Sequence, residues 1–349
     1  MKKYNLIIAP DRNTRGGITS VVKAHKQTKM WKKWNCIWIE TYNDKHFLNK
    51  IIFFIRSLFL YTIRLKNAQI IHIHFSGPTS AHRKFAYLRL AKIFNKKIVV
   101  HLHVFSPETS FLGKSSKLYF KIFNEADKII ALSNTWKNEI IKFYPIYDKI
   151  EVIYNPCPQV RNIEKQFESK QIIYAGALNK RKGYADLIKA FGLIASNFPE
   201  WKLILAGNGE MQEGKLLVKN LDIENQVVFK GWISGKEKEQ LFQNASIFCL
   251  PSYAEGFPMA VLDAWAYGLP VITTAVGGLP DILKHKENAM VFIPGNIEEL
   301  KSNLQELILD ESLRKSLGKK SFELSTNKFN INTIGEQLDM LYTKLTINE

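Results

Sequence analysis

The stretch SIFCLPSYAEGFPMAVLDAWAYGLPVITT, residues 246 to 274, reads as strand, turn, helix and strand in quick succession. Its first run ends at Pro251, Gly256 and Pro258 break the chain, a helix begins near Pro258, and PVITT opens a second strand. Both strands are apolar almost throughout rather than alternating. That pattern belongs to parallel strands covered on both faces, with the helix as the crossover.

The same grammar runs from end to end. In the first half the strand-like runs are YNLIIA, CIWIE, IIHIHF, KIVVHLH, KIIAL and IEVIY; in the second they are QIIYAG, KLILAG, VVFKG, SIFCLP, PVITT and MVFIP. Two such series separated by helical patterns predict an α/β chain of two doubly wound Rossmann-like domains. The expected bounds are 1–158 and 165–328, because NPCPQVRNIEKQ (155–166) carries two prolines and no strand alternation. Beyond them, Ile334, Leu338, Leu341 and Leu345 share one helical face, so a helix over 330–347 is expected to pack back on the first domain. Ligands of open α/β sheets bind beyond the strands' C-terminal ends, so a cleft facing both domains is the expected site.

Composition narrows the class. At 349 residues and 46% hydrophobic, the chain can fill two cores and is not disordered. Cys36, Cys157 and Cys249 lie far apart with no CxxC, which argues for free thiols in a reducing cytosol and against a zinc knuckle. The apolar start YNLIIA is too short for a signal peptide's core. IIFFIRSLFLYTI (51–63) contains Arg56 and falls short of a membrane span, so no transmembrane segment is expected. The net charge of +17 is one-sided: residues 1–160 hold 27 Lys and Arg against 9 acids, a balance of +18, and the remainder 22 against 23, a balance of −1. The two halves should therefore meet different partners.

Three stretches carry chemistry. After the first strand, Gly16 and Gly17 open a helix, where exposed N–H groups and the dipole suit a phosphate; a plain tight turn is the alternative. AGALNKRKGYADLIKAF repeats the arrangement, with Lys180, Arg181 and Lys182 converging before Gly183; such cations suit a diphosphate, and a solvated basic loop is the alternative. In the opening stretch, Glu255 sits in the turn and Asp263 one turn into the helix that begins at Pro258. The N–H groups of Met259, Ala260 and Val261 lack intrahelical acceptors there. Acids beside such donors are placed to accept hydrogen bonds from sugar hydroxyls.

On these residues the chain resembles the retaining GT-B glycosyltransferases of family 4, also described as glycosyl transferases group 1, over most of residues 1–345. That family carries two acids separated by seven residues, the first in an EGF-type turn, and Glu255 and Asp263 hold those places. The resemblance implies that Glu255 contacts the donor sugar and that Asp263, with a shorter arm than usual, contacts the ribose. It further implies that Lys182 grips the diphosphate, that His103 in VVHLHVFSP stands on the acceptor side, that Gly16 and Gly17 lie near the phosphates, and that Trp232 lies near the base. One departure stands out: Ala177 occupies the place of a family arginine, and Arg181 or Lys180 is expected to compensate.

His72 and His74, with His101 and His103, form two period-2 pairs on neighbouring strands. A four-histidine metal site is conceivable, but no carboxylate accompanies them, so polar strand ends are the expectation, with no protein-held metal and no cofactor. The basic half shows no helix-turn-helix, zinc finger or RNP-type pattern, so nucleic acid is not an expected partner. WKKW (31–34), and Arg89, Lys92 and Lys96 on one helix face, suggest instead an anionic membrane surface. The resulting expectation is a cytoplasmic enzyme peripheral on the inner face of the plasma membrane. It would move sugar from a nucleotide diphosphate, UDP foremost, to a lipid-linked or glycan acceptor in bacterial-type surface polysaccharide synthesis. The rival is a non-catalytic nucleotide-sugar or polyanion-binding module, favoured by Ala177.

Overall fold

The computed structural model describes residues 3–43, 47–160 and 169–347, and the chain divides into two compact units, Met1–Pro156 with Ile331–Glu349, and Cys157–Asn330. Each is a six-stranded, wholly parallel sheet flanked by helices, as the apolar strand runs predict.

In unit 1, strands β1 (Tyr4–Ala9), β2 (Ile37–Glu40), β3 (Ala68–Phe75), β4 (Lys97–Leu102), β5 (Lys128–Ala131) and β6 (Ile150–Val152) take the order β2-β1-β3-β4-β5-β6. The order reverses between β1 and β3, and such a switch point is where doubly wound sheets open to ligands. The principal helices are α1 (Gly17–Lys26), the short α2 (Lys29–Lys33), α3 (Phe47–Leu65), α4 (Pro78–Ile93) and, from the far end of the chain, α14 (Ile331–Ile347).

Helix α14 packs on α1 and α2. Ile334, Leu338, Leu341 and Leu345 are all buried, as their spacing predicts. Burial of a large aliphatic side chain is worth about 1.5–3 kcal/mol, whereas the half-exposed pair of Lys33 with Asp339 on α14 is worth about 1 kcal/mol at most. The apolar face therefore holds the helix, and the ion pair sets its register.

That pair changes the reading of WKKW. Trp31 is buried, and both Lys33 and the Trp34 indole N–H donate to Asp339, at 2.8 and 2.6 Å. Lys33 and Trp34 together fasten α14 down. Likewise Lys96 lies beyond the end of α4 and donates to the Lys66 carbonyl, and Arg89 is paired with Glu125 at 2.6 Å, so Arg89, Lys92 and Lys96 form no single helix face.

Helix α3 behaves differently. Its 19 residues bury Ser57, Tyr61 and Leu65, while Ile52, Ile55, Phe59 and Ile63 remain 60–64% exposed along the opposite side. Among the described residues no helix is long and apolar enough to cross a membrane.

Unit 2 has the order β12-β11-β10-β7-β8-β9, built from β7 (Gln171–Ala175), β8 (Lys202–Ala206), β9 (Val227–Gly231), β10 (Ile247–Leu250), β11 (Val271–Thr274) and β12 (Met290–Phe292). Here the switch point falls between β7 and β10, which pair through Ile172 with Ile247 and Ile173 with Phe248. Cys157 belongs to this unit, its N–H donating to the Phe329 carbonyl at 2.8 Å. The second half of the proline-containing stretch 155–166, from position 161 on, lies outside the described residues. Cys36, Cys157 and Cys249 are free and buried, and burial pushes each thiol up, Cys36 to about 12.

Candidate active site

The acids and cations of unit 2 gather at the C-terminal ends of the two switch-point strands. After β7 the chain makes a single helical turn over Lys180–Lys182, capped by Asn179, whose side-chain oxygen accepts the Lys182 N–H at 3.1 Å. Gly183 closes it at φ +68°, and a Cβ there would stand 2.0 Å from the Pro251 carbonyl oxygen at the end of β10. No other residue type fits, and the close approach brings the two loops together. Arg181 completes the join: its carbonyl accepts the Tyr253 N–H at 2.8 Å and its guanidinium donates to the Ala254 carbonyl at 2.6 Å.

Glu255 is the centre of this arrangement. Its side chain is only 5% exposed, with one oxygen 2.5 Å from Lys182 Nζ and accepting the Ser252 hydroxyl at 2.6 Å, and the other 3.8 Å from Arg181. Burial draws the Lys182 ammonium below its ordinary range, and the Glu255 carboxylate opposes that drop. The loop carrying Glu255 is pressed from behind by Gly277, at φ +66°, where a Cβ would meet the Glu255 and Gly256 carbonyl oxygens at 2.4 Å.

Helix α11 (Met259–Ala266) starts directly after this loop, with Pro258 as its N-cap. The Val261 N–H donates to the Pro258 carbonyl at 3.1 Å, so it is not among the open donors expected from the sequence. Met259 and Ala260, half-buried, are the amides that the helix start leaves without an intrahelical acceptor.

Asp263 is buried and paired with Lys238 Nζ at 2.5 Å, Lys238 standing on α10 (Gly235–Asn244). Burial raises the Asp263 carboxyl and Lys238 pulls it back down. Sequence reasoning missed Lys238 and Ser252. Ser252 is signalled by its place at the strand end three residues before Glu255. Lys238 carries no local signal in GKEKEQ, where it looks like any solvated lysine. Trp232 is half-exposed between β9 and α10, its N–H held by the Asn208 side-chain oxygen at 2.9 Å.

The remaining expected residues belong to unit 1. Gly16 and Gly17 are exposed, Gly16 capping α1 after β1 at that unit's switch point. His103 follows β4, with its N–H on the Phe75 carbonyl and its Nε2 2.7 Å from His74 Nδ1. His72, His74 and His101 are buried rather than at a polar strand end, and His25 of α1 joins them. Burial pushes all of these imidazoles below their ordinary range, His25 to about 4 and His72 to about 3, and repulsion from neighbouring charged groups adds to it for His72, His74, His101 and His103. His72, His74 and His101 are the one group among the described residues that could hold a metal ion.

The family described as "Glycosyl transferases group 1" matches residues 159–324, and "Glycosyltransferase Family 4" matches residues 38–158. The chain is 28% identical to the N-acetyl-alpha-D-glucosaminyl L-malate synthase of Bacillus anthracis over 293 residues, 79% of this chain and 75% of that one. It is 29% identical to the lipopolysaccharide 1,6-galactosyltransferase of Salmonella typhimurium, over 62% of this chain and 61% of that one. Among solved structures, HepE of Anabaena in complex with UDP-glucose superposes with a TM-score of 0.80 at 18% identity, covering 98% of this chain and all of that one, which is a likeness of fold.

Proposed function

Since the chain is a glycosyltransferase of the GT-B, family 4 type, we propose that it transfers sugar from a UDP-linked donor to a lipid-linked or glycan acceptor with retention of anomeric configuration. The observation that carries this is the contact set of Glu255, Lys182, Ser252 and Arg181 at the β7/β10 switch point of unit 2. The UDP assignment draws on HepE and the acceptor class on the Salmonella galactosyltransferase.

In the free protein Lys182 and Glu255 neutralise each other. An incoming diphosphate takes Lys182, Arg181 and the amides of Met259 and Ala260, which frees the Glu255 carboxylate for the sugar hydroxyls. Asp263, tethered by Lys238, takes the ribose hydroxyls. Negative charge grows on the departing phosphate as the glycosidic bond breaks, and donors already aimed at it lower the barrier without reorganising. The leaving phosphate, in the front-face picture, takes the acceptor's proton. This reading assigns Ala177's missing cation to Arg181 and needs no protein-held metal in the transfer itself.

Unit 1 meets the acceptor in this reading, with His103 as the group on the acceptor side and the exposed side of α3 as the contact with an anionic membrane. A groove between α3 and β2, lined by Arg12, Trp38, Phe53, Arg56, Leu60 and Arg64, sets arginines beside apolar surface, the chemistry of a lipid phosphate. Location on the cytoplasmic face follows from the donor, together with the free thiols.

The test is turnover with a panel of UDP-, GDP- and ADP-sugars, wild type against Glu255→Gln. UDP-sugars are expected to be hydrolysed or transferred, and the variant to lose roughly 10²-fold or more in kcat, the scale for one preorganised polar contact. Near-normal turnover by Glu255→Gln would falsify the site.

A further inference from the structure

Five buried imidazoles of unit 1 sit on three elements: His25 on α1, His72 and His74 on β3, and His101 and His103 on and just after β4. His74 and His101 stand directly opposite in the β3/β4 register. Their rings stack at centroid separations of 4.3 to 5.3 Å through His103, His101, His74 and His72, with His25 at 6.3 Å from both His74 and His101.

Hydrogen bonding in the cluster is incomplete in a specific way. His74 uses Nδ1 toward His103, and His72 uses Nδ1 toward the Tyr342 hydroxyl of α14 at 2.5 Å and Nε2 toward His101 Nδ1 at 3.2 Å. The Nε2 atoms of His25, His74 and His101 are buried with no partner. A buried nitrogen left unpaired is unfavourable by about 1–3 kcal/mol, and three in one cluster are well beyond the usual exceptions.

The pattern also matches what metal-bound imidazoles do. A ligating histidine engages the metal with one nitrogen and fixes its tautomer by hydrogen bonding the other. Here His74 and His101 follow that pattern, each with Nδ1 engaged and a buried Nε2 free, whereas His72 ligates only by exchanging its Nε2 contact with His101 Nδ1 for the ion. One candidate ligand nitrogen from each of His72, His74 and His101 lies within 4.8 Å of the other two. Around an ion 2.0–2.1 Å from each nitrogen, tetrahedral angles set nitrogens about 3.4 Å apart, so the rings need to close by roughly 1.5 Å.

We propose that His72, His74 and His101 hold a divalent transition-metal ion, zinc being the type, inside unit 1. An all-imidazole set suits zinc, cobalt or nickel and is unsuited to magnesium or calcium, which take oxygen ligands. The ion's role is structural: it ties β3 to β4 and, through the His72–Tyr342 contact, to the docking of α14. It takes no part in sugar transfer, so this inference stands or falls separately from the proposed activity.

The experiment uses the full chain, stripped with a chelator and then titrated with Co²⁺ and Zn²⁺. Expected are a visible Co²⁺ absorption of tetrahedral type that saturates at one ion per chain, a rise of about 5 °C in Tm with excess Zn²⁺, and no response to Mg²⁺. His74→Gln and His101→Gln should abolish both signals, while replacement of exposed His82 (His82→Gln) retains them. Should either variant fail to fold, X-ray absorption on the zinc-loaded wild type reads the ligands directly. Imidazole nitrogen in its first shell supports the site. An oxygen shell, a Co²⁺ spectrum surviving in both variants, an equal response to Mg²⁺, or no saturable binding overturns it and leaves the orphan nitrogens to buried water.

Discussion

Glu255 and Lys182 are 73 positions apart in sequence and in contact in the fold, yet both were legible, because each ends a strand run in a glycine-marked turn. Which cation stands beside them was not. The sequence offers Lys180 and Arg181 equally, and only the close approach at Gly183 turns Arg181 toward Ala254 and Glu255. Arg181→Ala is accordingly expected to raise the donor KM and lower kcat, together at least tenfold, with Lys180→Ala near wild type. Steady-state kinetics with both variants checks this, and the reverse ranking reassigns the cation. Asp263 allows a prediction with a defined sign. Its folded carboxyl is raised by burial, so the folded state binds a proton more readily than the unfolded chain does just above the ordinary carboxylate range. The stability linked to that proton is present below the unfolded value and lost as pH rises through the folded one. Asp263→Asn should therefore match or exceed the wild type's Tm near pH 7.5, and the advantage should shrink toward pH 4, while donor affinity falls. A lower Tm at pH 7.5 would show that the Lys238 pair outweighs the burial. Lys238 itself was invisible in the sequence because a lysine in a polar helix reads the same whether it meets water or a buried acid.

At the scale of elements, strand runs were legible throughout because parallel strands are apolar on both faces, a signal no neighbour can disguise. Surface assignments were less so. WKKW has the composition of a membrane edge, but its Lys33 and Trp34 serve α14, a partner some three hundred positions away in the chain. The apolar run of α3 was read only as too short to span, since composition cannot tell a buried helix from one left uncovered on one side. Its exposed Ile52, Ile55, Phe59 and Ile63 are a sizeable apolar stripe flanked by Arg56 and Arg64. If that stripe lies in a lipid surface, Ile52→Glu with Phe59→Glu should reduce sedimentation with anionic vesicles at least tenfold while sparing donor hydrolysis. Binding by the wild type should also survive about 0.5 M salt in part, because screening removes the charge contribution and leaves the apolar one. Undiminished binding by the double variant would return the contact to the basic residues alone.

At the scale of the whole molecule, charge asymmetry, two sheets and the returning helix were all legible. The five-histidine interior was legible only as two pairs. His25 lies in VVKAHK, whose solvated helical pattern gives no hint that its ring turns inward toward residues of β3 and β4. The return of α14 to unit 1 has a consequence in time. A ribosome completes residues 157–330 as one uninterrupted segment, whereas unit 1 lacks α14 until residues 331–347 have been made. At about 5–20 residues per second, the first 156 residues wait roughly ten to forty seconds for α14. During that wait the faces of α1 and α2 that meet α14 stand uncovered, and His72 lacks its Tyr342 partner. A nascent chain stalled at 330 should accordingly show a protease-resistant 157–330 core beside a digestible first unit, and release of the final helix should protect both. Equal resistance of both units before α14 emerges would mean that the first sheet completes itself without its last-made part.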